Sequence, residues 1–123
     1  GIALAKAVGA KVTALNVMEP WSTGGRPVML EQPRLEYEKA AHQRAEEALS
    51  TAVRCAAQAG VARATEQVFD LYPFEAIVRT ATAKGCDLIC MASHGRSGIK
   101  ALLLGSETSK VLIRSHIPVI VHR

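Results

Sequence analysis

The sequence predicts an α/β domain built on an open, doubly wound parallel sheet. Three observations predict it. Helical and strand-like segments alternate strictly along the chain, most connections between them are short, and residues 87–92 form a continuous apolar run of the kind that helices cover on both faces. At 123 residues the chain has the length of about one domain, and residues 1–123 are read as a single one.

The elements follow in order. Residues 2–8 are apolar and Ala-rich and meet Gly9, a residue that ends helices because it enters the left-handed region freely. Residues 11–17 are β-branched and apolar, hence a strand. Residues 19–36 hold three prolines and the Gly24-Gly25 pair and form the one long loop. The longest helix is expected over 34–59, where Ala41, Ala45, Ala48, Leu49, Ala52, Cys55, Ala56 and Ala59 make one apolar stripe. Gly60 stops it. A strand over 64–69 precedes Asp70 and Pro73, which mark the next helix start. That helix carries Phe74, Ile77, Val78 and Ala81 and closes at Gly85. The strand over 87–92 leads into a Gly/Ser turn, an apolar helical stretch over 99–104, and a helix from Gly105-Ser106 to about residue 115. Residues 117–121 (Ile117, Pro118, Val119, Ile120, Val121) are the last strand.

Composition narrows the function. Hydrophobic residues at 49% and charged residues at 21% are a globular balance, and aromatics at 4% leave the core to Ala, Val, Ile and Leu. The net charge of +4 comes from scattered basic residues without interleaved aromatics, which argues against a nucleic-acid face. There is no signal-peptide pattern and no apolar stretch near the length of a membrane span. Cys55, Cys86 and Cys90 lack metal-type spacing and read as reduced, structural thiols, so a cytoplasmic location is expected. Because Gly1-Ile2-Ala3-Leu4 opens as if inside a helix, the natural protein is expected to begin upstream.

In an open parallel sheet, ligands sit beyond the carboxyl ends of the strands. The segment there after residues 87–92 is Ser93-His94-Gly95-Arg96-Ser97-Gly98, followed by Leu104-Gly105-Ser106-Glu107-Thr108. Glycines let main-chain amides approach an anion, and a helix beginning at Ser106 points free N–H groups and its positive dipole end at the same spot. Taken alone, a Gly-rich turn before a helix is more often a plain structural device. Arg96 and Lys100 could neutralise phosphate, whereas His94 reads as a loop-orienting residue before a catalytic one. His42, His116 and His122 have no metal-type arrangement, and Ser93, Ser97 and Ser109 have no Asp–His pairing, so neither a metal site nor a catalytic set is expected.

Residues 92–106 read A-x2-G-x9-G-S, through Ala92, Gly95, Gly105 and Ser106. This resembles the G-x2-G-x9-G-S/T nucleotide motif of the universal stress protein family, with Ala92 at the first motif glycine. The run D-L-I-C-M-A-S-H-G-R-S-G over 87–98, L-L-L-G-S over 102–106, the segment 72–77 and the last strand resemble that family too. Neither the dinucleotide fingerprint G-x-G-x-x-G nor the phosphate loop G-x-x-x-x-G-K-S/T is present. The resemblance implies a Rossmann-like sheet whose first strand, and the Asp that follows it, have no counterpart in this chain. Without that strand, residues 11–17 and 87–92 would each keep an unfilled edge. The resemblance also implies a homodimeric regulatory module that holds ATP or AMP, with magnesium carried on the phosphates, rather than an enzyme. By position it assigns Val17 to adenine, Met91 and Ala92 to the ribose and adenine wall, and Gly95, Gly105, Ser106, Glu107 and Thr108 to phosphates, with Arg96 beside them. The last strand, Ile117 to Val121, would pair two subunits. The alternative is a dimeric stress or interaction protein that binds no nucleotide. An adenylating or pyrophosphatase enzyme of the related α/β group would carry S-G-G-x-D-S after its first strand, and G-S-E-T-S-K over 105–110 argues against it.

Overall fold

A computed structural model describes residues 1–22, 31–93 and 104–122. Its elements are α1 (Ile2–Val8), β1 (Val12–Met18), α2 (Glu31–Ala59), β2 (Arg63–Phe69), α3 (Pro73–Ala83), β3 (Ile89–Ala92), α4 (Ser106–Arg114) and β4 (Val119–His122). The predicted alternation is present throughout. The helical stretch expected over 99–104 lies outside the described residues except for Leu104, which is neither helical nor extended in a ladder. Contacts divide the chain into two units, Ile2–Leu71 and Gly1 with Tyr72–Arg123.

In the first unit β1 and β2 run parallel, paired from Val12↔Arg63 to Met18↔Phe69, with α2 as the crossover. Ala41 and Ala45 of α2 pack with Met18 and Phe69, and Ala56 packs with Ala5 and Val61. Ala41, Ala45, Leu49 and Ala56 are buried as the spacing predicts, while Ala48 and Cys55 are exposed on the flank of that arc. Small side chains at the contact let the helix backbone approach the strands closely. The helix begins at Glu31, earlier than expected, because Pro33 falls in the first turn, where its missing N–H is not needed. Tyr37 of α2 donates its hydroxyl to the Glu19 carbonyl (2.8 Å), and its ring meets Trp21 at 5.5 Å, tying α2 to the chain leaving β1.

In the second unit β3 and β4 are parallel, paired from Ile89↔Val119 to Ala92↔His122. Ala81, Ile89 and Val111 form the core, surrounded by Phe74, Ile77, Val78, Cys86, Met91, Ile117 and Val119. α3 and α4 lie against one face of β3, where Ile89 is buried and Met91 half-buried, whereas Cys90 and Ala92 are on the other face, with Gly1 beside the Cys90 side chain. Cys90 is correspondingly an exposed thiol, not a core hydrophobe. Among the described residues each of the four strands has a single ladder, so the ladders do not single out β1 and β3, the strands for which an unfilled edge is expected.

One device ends α1, α2 and α3. Gly9, Gly60 and Gly85 take φ values of 68°, 69° and 63°. The following amide then turns back to a carbonyl five residues earlier: Ala10 to Ala5 (2.8 Å), Val61 to Ala56 (2.9 Å) and Cys86 to Ala81 (2.9 Å). Each acceptor is a buried alanine, so the turn that closes the helix also fixes its packed face.

Candidate functional site

The site is built where β3 ends and α4 begins. Ser93 continues β3, its amide bonded to the His122 carbonyl at the end of β4 (2.8 Å). The Ser93 carbonyl accepts the Gly105 N–H (2.7 Å), and the Ala92 carbonyl accepts the Thr108 hydroxyl (2.9 Å). These two bonds clasp the first turn of α4 to the strand terminus, bringing both ends of the A-x2-G-x9-G-S spacing together. Ser93 and Thr108 are buried at 7% and 4% exposure, so the clasp is sheltered from competing water.

Gly105 is the N-cap of α4 in an extended conformation (φ −58°, ψ 148°), and among the described residues no side chain caps the helix. The first intrahelical bond is Ser109 N–H to Gly105 C=O (2.9 Å), reinforced by the Ser109 hydroxyl on the same carbonyl (3.1 Å). The amides of Ser106, Glu107 and Thr108 precede that bond and so have no acceptor within the helix. Three convergent N–H groups at the positive end of a helix form a receptor for a phosphate or carboxylate oxygen.

Glu107 carries the charge of this turn. Its carboxylate accepts the Phe74 N–H (3.0 Å) in the first turn of α3 and the Lys110 ammonium (2.8 Å). Lys110 also lies over the Phe74 ring, 5.3 Å from its centroid. The N-cap of α3, Tyr72, makes no side-chain capping bond, and Glu107 supplies an acceptor to that helix from α4.

The residues assigned from sequence are distributed as follows. Ala92, Gly105, Ser106, Glu107 and Thr108 assemble at the clasp, with Ser106 exposed. Met91 packs against the core with Ile89 and Val111. The Thr108 hydroxyl is occupied by Ala92, so its amide is the group available to an anion. Val17 lies in β1, paired with Val68, in the first unit. Gly95 and Arg96 lie outside the described residues, as do His94 and Lys100. Sequence reasoning missed Ser93 and Phe74, which act through main-chain groups and leave no side-chain signature. Among the described residues no cluster of His, Cys, Asp and Glu has the makings of a metal site, and no helix is long and apolar enough to cross a membrane.

The profile of the universal stress protein family matches residues 1–123. The chain belongs to this family. It is 31% identical over 119 residues to a universal stress protein of Thermus aquaticus, covering 97% of this chain and 82% of that one. It is 47% identical over 49 residues to the universal stress protein MJ0577 of Methanocaldococcus jannaschii, a match spanning 40% of this chain and 30% of the relative. The solved structure of MJ0577 superposes with a TM-score of 0.80 at 27% identity, covering 98% of this chain and 83% of that one. A universal stress protein solved in complex with cAMP superposes with a TM-score of 0.58 at 24% identity, covering 99% of this chain and 80% of that one. These matches establish the Rossmann-like α/β fold of the universal stress proteins for this chain.

The clasp makes a direct prediction. Thr108→Val removes the hydroxyl and leaves the Ala92 carbonyl without that donor, which should cost about 1–3 kcal/mol of stability. Thr108→Ser keeps the donor and should recover most of it. Chemical denaturation of the two variants checks the difference, and equal stabilities would show that the Thr108 hydroxyl bond contributes nothing.

Proposed function

We propose that this universal stress protein is a regulatory module that holds an adenine nucleotide, ATP or AMP, with its phosphates on the first turn of α4, rather than a catalyst that transforms it. The observation that carries the reading is the set of uncapped amides of residues 106–108, clasped beside the end of β3. The motif spacing from Ala92 to Ser106 and the cAMP complex of a protein with the same fold support it. Holding a phosphate needs main-chain donors and a fixed helix terminus, and no proton transfer or nucleophile. Magnesium would be carried on the phosphates, and Arg96 and Gly95 would complete the contacts.

A second reading, a dimeric interaction protein without nucleotide, is favoured by one residue. Ala92 stands where the motif has its first glycine, and it projects a methyl from the exposed face of β3. The two readings separate in a melting experiment. Nucleotide at about 100 times its dissociation constant stabilises the native state by roughly 2.7 kcal/mol, which raises the melting temperature by about 5–15 °C. Unchanged melting with millimolar ATP or AMP and magnesium would decide for the second reading. Under the first, Ala92→Gly should tighten binding modestly.

Both readings include a homodimer paired through residues 117–121. Among the described residues β4 has one ladder partner, β3, and Leu112, Ile113 and Ile120 stand exposed on α4 and β4. An apolar edge strand of this kind is a liability unless it is covered, and two-fold pairing with a second copy covers it. The spacing of the three cysteines, which reads as that of reduced thiols, is the ground for proposing a cytoplasmic setting. Sedimentation should show a dimer at micromolar concentration and a monomer for Val119→Pro; a monomeric wild type would refute the pairing.

A further inference from the structure

We infer that the edge of β2 away from β1, with the groove beside it, is a second self-association surface, where two copies of this chain pair about a two-fold axis through Thr65 and Ser50. The surface lies in the first unit and is separate from the β4 edge. The ladder to β1 fixes which main-chain groups of β2 are occupied. The Val12 N–H bonds the Ala62 carbonyl (2.8 Å) where the ladder begins, and the Asp70 N–H bonds the Met18 carbonyl (2.9 Å) where it ends. A parallel ladder alternates, so the even-numbered residues of β2 serve β1, while Arg63, Thr65 and Gln67 turn their N–H and C=O groups to the other edge. Among the described residues no strand pairs with that edge.

A groove runs along it, lined by Glu46, Ser50, Val53 and Arg54 of α2 and by Thr65 and Gln67 of β2. Ala45 packs near Phe69 and Ala56 packs near Val61, so Ser50, midway along that stretch of α2, falls level with Thr65. This point lies about 28 Å along α2 from the helix entry at Glu31. Charge and spacing point to a second copy as the occupant. Glu46 and Arg54 are exposed, make no ion pair among the described residues, and stand symmetrically on either side of Ser50. A two-fold axis at Ser50 therefore sets Glu46 of each copy against Arg54 of the other. The same axis at Thr65 pairs Thr65 with Thr65 and Arg63 with Gln67, antiparallel, all of them residues with main-chain groups free to pair.

The dimensions agree. Because α2 packs on residues of both β1 and β2, it lies over the seam between them. Strands about 4.8 Å apart then place two such helices about 10 Å apart, close to the 8–10 Å of packed helices. Ser50 is small and gives its hydroxyl to the Glu47 carbonyl of its own helix (2.7 Å), so the crossing point needs no further acceptor. An unrelated peptide would supply the ladder without the paired charges. One strand edge and one helix flank make a small interface, so pairing is expected at roughly 0.1–1 mM, above the micromolar range of the β4 pairing.

The test is residue-resolved amide hydrogen exchange on the whole chain at about 50 μM and about 1 mM. The Thr65 and Gln67 amides should exchange several-fold more slowly at the higher concentration, while those of Ala64 and Glu66, bonded to β1, stay protected at both. Sedimentation over the same range should show association beyond the dimer. Glu46→Arg or Arg54→Glu alone should suppress that step, and the double reversal should restore most of it. Exchange at Thr65 and Gln67 that is the same at both concentrations overturns the inference, whether the amides are open throughout or already covered by the chain itself. Single and double reversals that behave alike overturn it too, because the charges then do not face each other. None of these outcomes bears on nucleotide binding.

Discussion

The clasp between the first turn of α4 and the end of β3 is the constraint on which the rest of the second unit depends. The Thr108 hydroxyl on the Ala92 carbonyl and the Gly105 amide on the Ser93 carbonyl consume two acceptors that the strand terminus would otherwise leave to solvent. Fixing α4 there places Val111, fully buried, against Ile89 and Ala81, so the same geometry that exposes the amides of α4 also seals the core. A helix anchored by packing on one face and by hydrogen bonds at its start has little freedom to tilt. Its N-terminal donors are consequently held in place in the unliganded chain.

Much of the architecture was legible because it rests on local signals. Gly9, Gly60 and Gly85 end helices where the spacing places them, and all three adopt the left-handed conformation that only glycine enters without strain. The stripe of α2 was legible for the same reason, since Ala41, Ala45, Leu49 and Ala56 follow helical periodicity into the core. Cys55 and Ala48 were misread because residues on the flank of a helical arc share its spacing but not its burial. Hydrophobicity alone cannot say which layer packs on which face of the 87–92 run; in the described unit α3 and α4 share the Ile89 and Met91 side.

The site was legible only in part. The motif spacing located Ala92, Gly105 and Ser106, and these are brought together. What the spacing could not supply is the division of labour within the turn. Thr108 gives its side chain to the scaffold and only its amide remains for a ligand, while Met91 turns inward to the core. The partner of Glu107 lies 33 positions away in sequence, at Phe74, and is a main-chain group that no residue pattern records. Family membership, established across residues 1–123, adds the fold and leaves these assignments to the geometry of this chain.

The central claim is that the amides of residues 106–108 receive a nucleotide phosphate. It is tested most directly by amide proton–nitrogen correlation spectra of the protein titrated with ATP or AMP. The account predicts saturable downfield shifts of the Ser106, Glu107 and Thr108 amides, as expected for N–H groups that gain a charged acceptor, with Thr80 and Arg79 on α3 unmoved. Saturation of binding with these three amides unshifted would contradict it, because the phosphates would then be held somewhere else.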